Sequence, residues 1–91
     1  MINNDVAIVQ NKVLTDFIVY YSDQMKGVIV DFAICILNGD STRATEFGKK
    51  LRSIHLYLKW LVSQLTPING QENKFIDQAK LFVDELAIYI P

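Results

Sequence analysis

The sequence has one cysteine, two prolines and four glycines among its 91 residues. The lone cysteine, Cys35, has no partner for an internal disulfide, and it lies in the apolar run 28–37, which favours a buried thiol that packs as a small hydrophobic residue. The glycines are isolated from one another, so none of them forms a glycine-rich loop that could hold a phosphate group.

Long apolar runs are also lacking. No stretch approaches 18 apolar residues, because charges interrupt the first helical segment at Asp16, Asp23, Lys26 and Asp31 and the second at Lys59. We therefore expect no membrane span. The start of the chain lacks the basic region and small-residue cleavage site of a signal peptide, which predicts a cytoplasmic protein.

Catalytic and metal-binding patterns are missing as well. His55 is the only histidine, and its place at the edge of an apolar stripe favours a partly buried structural role. The ten acidic residues are scattered, without a Glu-x-x-His pair or a calcium-loop spacing. The sequence thus predicts no enzyme, no metal and no cofactor; a hydrolase or nuclease built around His55 is the least favoured alternative.

The composition that is present is apolar. Hydrophobic residues make up 51% and charged residues 21%, against a usual charged share of about 25%. A chain of this length forms one domain, residues 1–91, whose monomer would be modestly stable, so a partner chain would help. Eleven isoleucines and six asparagines also suit an AT-rich coding genome, such as that of a low-GC bacterium or its phage.

Two breaks divide the chain into three helices, and no alternating strand pattern competes with them. Asn38-Gly39 supplies a helix stop, with Asp40 or Ser41 following as the next N-cap. The second break is 66–70, where a proline and an Asn-Gly pair favour a turn. The predicted fold class is all-α, a small bundle with helices at about 4–37, 41–65 and 71–90.

The first helix carries more apolar surface than one neighbour can cover. Its first apolar row is Val6, Val9, Val13, Phe17 and Tyr20, and the adjacent row is Leu14, Ile18, Tyr21, Met25, Val28 and Phe32. From 28 to 37 only Asp31 is polar, so we expect this end to be enclosed on all sides.

A continuous helix of this length would measure roughly 50 Å, whereas a compact domain of this size has a radius of gyration near 12 Å. Either the helix kinks between Ser22 and Gly27 to give a four-helix bundle, or it stays long and two chains pair along it. The dimer is favoured slightly.

The middle helix has two apolar surfaces where a small bundle needs one. Its core stripe steps by three and four residues: Ala44, Phe47, Leu51, Ile54, Leu58, Leu61 and Leu65. At about 100° per residue, Leu56 and Trp60 fall on the opposite side of the helix, among basic residues. The third helix needs only one stripe, formed by Phe75, Ala79, Phe82, Val83, Leu86 and Ile90.

Charge is divided between the helices although the net charge is −1. The middle helix holds five basic residues and one acid, a local balance of +4, while its neighbours are acidic. One interpretation is that these charges neutralise each other along the helix seams. It accounts for Arg43 and Lys50 beside the core stripe better than for the cations near Trp60.

The leading functional hypothesis is a non-enzymatic protein-interaction module, such as a small adaptor, chaperone or inhibitor. Apolar anchors with a polar rim are typical of interface hot spots, and the predicted partner-binding residues are Lys49, Arg52, Leu56, Lys59 and Trp60. The expected partner is a protein with an acidic surface and an apolar groove.

Two alternatives remain open. One is a small nucleic-acid-associated regulator that uses the basic middle helix, with an aromatic ring stacked on a base. The other is that Leu56 and Trp60 are buried inside a homodimer or under a fourth helix and have no outside partner.

Overall fold

The computed structural model describes residues 4–68, 70 and 73–91. It contains three α-helices, α1 (Asn4–Leu37), α2 (Ser41–Ser63) and α3 (Lys74–Glu85), followed by a 3₁₀ segment at Leu86–Tyr89. No strand occurs among the described residues, so the all-α prediction is confirmed. The predicted bounds of α1 are also confirmed. Helix α2 ends two residues earlier than predicted, at Ser63. Helix α3 is shorter than the predicted 71–90: it begins at Lys74 and gives way to the 3₁₀ segment after Glu85, and residues 71 and 72 lie outside the described part.

Helix α1 runs as one element through residues 22–27, and the described residues form three α-helices. Its 34 residues correspond to about 51 Å at 1.5 Å per residue. The whole molecule measures 53 × 17 × 16 Å, with a radius of gyration of 16.0 Å. The single chain is therefore elongated, and α1 sets its length.

The connection between α1 and α2 is short and locally determined. Gly39 adopts a positive φ of 72°, the conformation that glycine tolerates best. The backbone N–H of Asp40 donates to Cys35 O and that of Gly39 to Ile36 O, which is the Schellman pattern of a helix end. Asp40 then caps α2, because its Oδ1 accepts from the N–H of Arg43 at 3.2 Å. Three residues thus reverse the chain, and α2 returns antiparallel along α1.

The core lies between these two helices and beneath α3. Its fully buried members are Met25, Leu51, Leu58, Leu61 and Val83. The second predicted row of α1 contributes Ile18 and Met25, with Leu14, Tyr21, Val28 and Phe32 half-buried against them. Ile76, which the predicted stripe of α3 omits, is also buried. The hydrophobic core stripe of α2 is thus oriented as predicted.

Two polar side chains fasten the segment between α2 and α3. Buried Asn11 donates from Nδ2 to Thr66 O at 2.8 Å and accepts from Thr66 N–H at Oδ1 at 2.9 Å. Asn73 pairs in the same way with the backbone of Ile68, accepting its N–H at 2.9 Å. The two side-chain amides thus form hydrogen bonds with the backbone N–H and C=O groups of Thr66 and Ile68, which lie outside the helices, and they hold this segment in place before α3.

His55 fastens α3 to α2. Its Nε2 donates to the carbonyl oxygen of Val83 at 2.8 Å, and the ring is half-buried. Val83 lies in the last turn of α3, so this bond ties the C-terminal end of α3 to α2. The predicted structural role of His55 agrees with this contact.

The expected enclosure of residues 28–37 is wrong for the single chain. Val30, Ile34 and Ile36 are each about half exposed, and Leu37 is 84% exposed. Only one side of this end of α1 is covered, by α2 and by the segment around Ile90 and Pro91. Cys35, however, is buried as predicted.

Candidate protein-interaction surface

Helix α3 covers one side of the α1–α2 hairpin. On that side Ile18 and Ser22 of α1 face Ala79 across a groove, and His55 of α2 bonds to Val83. On the other side of the hairpin the side chains are exposed, and we call that side the open face. The open face consists of two rows of side chains, one from each helix.

The α1 row of the open face is the first apolar row predicted from the sequence. All five of its members are between 46% and 63% exposed: Val6, Val9, Val13, Phe17 and Tyr20. They recur every three or four residues and so form one stripe along the helix. A row that the sequence analysis expected to meet a neighbour therefore lies uncovered in the single chain.

The α2 row supplies Tyr57 and Trp60, which are stacked with ring centroids 5.7 Å apart and planes inclined by 13°. Tyr57 in turn meets Tyr21 of α1 edge to face at 4.8 Å, and Tyr21 meets Tyr20 at 5.1 Å. We call these four rings the aromatic cluster. It crosses from α2 to α1 and holds its rings in place by mutual contact, since each aromatic pair contributes about 0.5–1.5 kcal/mol beyond area burial.

Trp60 also borders the α1 row directly. Together with Val9, Val13 and Gln64 it lines a shallow groove of about 390 Å³. The apolar surface is therefore continuous from the N-terminal half of α1 to the C-terminal half of α2. It contains a concave region beside an exposed tryptophan, a combination common in binding surfaces.

The structure separates the five predicted partner-binding residues. Leu56 is 65% and Trp60 53% exposed, in agreement with the predicted second surface of α2. Lys59, however, lies on the α3 side, where it lines a small groove with Lys80 and Asp84.

Arg52 turns toward the C-terminal segment, where its Nη1 donates to Pro91 O at 3.2 Å. Exposed Lys49 and Leu56 occupy the outer side of α2, between Arg52 and Trp60 around the helix. The expected ring of three cations around Trp60 is thus spread over more than one side of α2.

Sequence reasoning missed the α1 row as part of the same surface. The row itself is visible in the sequence as valines and aromatics three and four residues apart. Its exposure and its position beside Trp60 depend on how α1 packs against α2 and on which side of that pair α3 covers, and no local pattern encodes that.

The basic residues of α2 lack direct ion pairs. The two ion pairs between described residues, Lys12–Asp16 at 2.7 Å and Lys26–Asp23 at 3.6 Å, both lie within α1. No basic side chain of α2 comes within 4.0 Å of the carboxylate of a described aspartate or glutamate. Lys50 instead lies over the ring of Phe47, 5.4 Å from its centroid. The interpretation that these cations neutralise acidic neighbours along the seams therefore finds no direct contact in the described part of the chain.

A second concave region lies at the hairpin end, on the α3 side. It has a volume of about 470 Å³ and is bounded by Phe32, Cys35, Gly48 and Pro91. Gly48 is buried here against Pro91, and a Cβ at this position would come 2.9 Å from Pro91 Cγ. The glycine in the helix thus gives the C-terminal segment room to pack.

The described residues contain neither a metal-binding group of side chains nor a membrane-spanning helix. No three His, Cys, Asp or Glu side chains among residues 4–68, 70 and 73–91 are grouped so that they could hold a metal ion. Over the same residues, no helix combines the length and the apolar character needed to cross a bilayer.

Comparison of the chain with protein-family models, with curated proteins and with solved structures gives no significant match.

Proposed function

We propose that this chain is a non-enzymatic protein–protein interaction module that docks through the open face, with Trp60 as its anchor. The observation that carries the proposal is the exposed Tyr57–Trp60 stack, which continues directly into the exposed α1 row. A soluble chain seldom leaves a contiguous apolar surface of this extent uncovered unless something binds there.

The chemistry of the surface suits a protein partner. Tryptophan and tyrosine are enriched among residues that dominate interface energetics, because they bury a large area with little loss of side-chain freedom. In the aromatic cluster that freedom is already restricted, since Trp60 rests on Tyr57 and Tyr57 on Tyr21. Preorganisation of this kind lowers the entropy cost of docking.

The surroundings of the anchor specify the partner. Lys49, Arg52 and Lys59 are exposed on the outer and α3 sides of α2 and form no ion pair with a described aspartate or glutamate, so they favour an acidic edge on the partner. The exposed Leu56 extends the apolar area on the outer side of α2. The proposed partner is accordingly a protein with an apolar groove edged by acids, and the long α1 supports a homodimeric module.

Trp60→Ala tests the anchor. We expect the variant to keep its helicity and to lose only about 0.5–1.5 kcal/mol of unfolding free energy, the contribution of one aromatic pair. Binding to a protein captured from host lysate should weaken about thirtyfold or more, equivalent to about 2 kcal/mol. Circular dichroism, thermal melting and titration calorimetry on the same preparation measure both effects.

Leu81→Ala is the matched control, because Leu81 is an apolar residue of similar exposure on α3, away from the open face. It should bind as the wild type does. If Trp60→Ala unfolded the chain, Trp60 would belong to the core; if it bound normally, the open face would not be the docking surface. Capture of nucleic acid alone, with affinity falling steeply between 50 and 200 mM salt, would favour the nucleic-acid regulator.

A further inference from the structure

The geometry points to a second copy of this chain as the occupant of the open face. The two copies are related by a two-fold axis parallel to the helices, so that α1 of each packs against α2 of the other in a four-helix arrangement. This inference rests on the proposed function in one respect, namely that the open face is a docking surface. Because the second copy covers Trp60, it and the acidic protein partner occupy the open face alternately, and the homodimer is the form of the chain without that partner.

The dimensions of the open face match what a stable dimer needs. The molecule is 53 Å long and 17 Å wide, so a face of this outline covers about 900 Å². Stable interfaces bury about 800 Å² on each partner, and homodimer interfaces are the more apolar ones. A second copy has the same length as the open face, and its α2 lies level with α1 from about residue 15 to residue 37.

Polarity changes along the open face, and it changes in the same direction on both helices. Continuing the α1 row beyond Tyr20 by steps of four and three gives Gln24, Gly27 and Asp31. The α2 row reads Glu46, Lys50, Ser53, Tyr57, Trp60 and Gln64. Because α1 and α2 are antiparallel, the apolar halves of the two rows lie at one end of the molecule and the charged halves at the hairpin end.

Side-chain contacts fix the relative height of the two rows. Tyr21 touches Tyr57, and Asn11 bonds to Thr66. The two residue numbers in each pair add up to about 78, so the same sum identifies other residues of α1 and α2 that lie at the same height along the molecule. Phe17 is therefore level with Trp60 to within one residue, and Asp31 is level with Lys50 to within one turn.

A two-fold axis parallel to the helices preserves these heights. It places Phe17 and Tyr20 of each copy on the aromatic rings of the other, with Phe17 opposite the position of Trp60 and Val13 opposite that of Gln64. The charged halves also meet, which brings Asp31 opposite Lys50, and neither side chain forms an ion pair with a described residue in the single chain. Apolar contacts and charges are both complementary in this arrangement.

A two-fold axis perpendicular to the helices fits less well. It packs α1 against α1, and full overlap then sets the apolar half of one copy on the charged half of the other. Overlap of the apolar halves alone, residues 6–20, spans only about 21 Å. That contact covers less than half of the face, below the area of a stable dimer.

Sedimentation equilibrium on matched variants tests the inference. The wild-type chain at micromolar concentration should have twice the monomer mass of 10.4 kDa. Val13→Asp, in the α1 row, should shift the mass to the monomer with helicity retained. Val30→Asp is the control, because Val30 is a similarly exposed valine of α1 outside the row, and it should remain dimeric. A monomeric wild type, or equal effects of both variants, would overturn the inference.

Cross-linking tests the direction of the axis. In a Cys35→Ala background, a chain carrying Val13→Cys is mixed with one carrying Gln64→Cys and treated with a short bismaleimide. The parallel axis predicts that the main cross-linked product joins a Val13→Cys chain to a Gln64→Cys chain. Cross-links between two Val13→Cys chains should be rarer. Predominant self-linking of Val13→Cys would indicate α1 against α1 and would overturn the proposed arrangement.

These outcomes are separable from the proposed function. A monomeric chain that still loses its protein partner on Trp60→Ala refutes the second copy and leaves the docking function standing. A dimer that binds its protein partner equally well with Trp60→Ala refutes the Trp60-anchored function and leaves the second copy standing.

Discussion

At the scale of single residues, Leu56 and Leu58 show how position on a helix decides the role of one residue type. They are two positions apart on α2, which places them about 200° apart around the axis. Leu58 is completely buried between the helices, whereas Leu56 is 65% exposed. Identical side chains therefore contribute very differently to folding.

Leu58→Ala should lower the unfolding free energy by roughly 2–5 kcal/mol, because it removes buried contacts and leaves a cavity. Leu56→Ala should change it by less than about 0.5 kcal/mol, as exposed substitutions do. Urea denaturation of both variants at equal protein concentration measures the difference. Comparable losses for the two would show that Leu56 is buried in the assembled protein.

At the scale of elements, two glycines have opposite effects on stability, because one ends a helix and the other lies inside one. Gly39 ends α1 in a left-handed conformation, with φ at 72°. Gly27 lies within α1, exposed, where a Cβ would meet nothing within 4 Å. The first glycine is required by the turn between α1 and α2, and the second is tolerated at a cost in helix stability.

Alanine at the two positions should therefore have effects of opposite sign. Gly39→Ala should destabilise the fold by about 1–2 kcal/mol, the cost of a left-handed conformation for a residue with a Cβ. Gly27→Ala should stabilise it by about 0.5–1 kcal/mol, since alanine loses less backbone freedom in a helix. Thermal and urea unfolding give both values. A stabilising Gly39→Ala would contradict the assigned helix end.

At the scale of the whole molecule, charge and apolar surface are distributed unevenly. Lys49, Arg52 and Lys59 of α2 lie on its outer and α3 sides, and the aromatic cluster lies on the open face. Exposed cations at the edge of an interface accelerate encounter more than they hold a complex together. The cations and the apolar anchor should thus have separable kinetic roles.

Reversal of these charges should reveal that separation. Lys49→Glu, Arg52→Glu and Lys59→Glu should each slow association with an acidic protein partner and reduce its salt dependence, with little change in the dissociation rate. Surface plasmon resonance at several salt concentrations measures both rates. Faster dissociation as the main effect would place these cations inside the contact and not at its edge.

The sequence by itself determined the helices and the side of α2 that faces inward. Asn38-Gly39-Asp40 ends one helix and starts the next through contacts within a few residues, so the bounds of α1 and the start of α2 were predictable. Helical periodicity likewise placed Leu58 inside and Leu56 outside. These features depend on local geometry, which short patterns encode.

Only the tertiary structure decided which apolar row of α1 is covered. The two rows are adjacent and similarly apolar, so periodicity cannot choose between them. The choice follows from how α2 packs along α1 and which side of the pair α3 covers, and contacts between residues distant in sequence fix that: Tyr21 with Tyr57, Asn11 with Thr66 and His55 with Val83. The same packing leaves Val9 and Val13 exposed beside Trp60, and the open face arises from it.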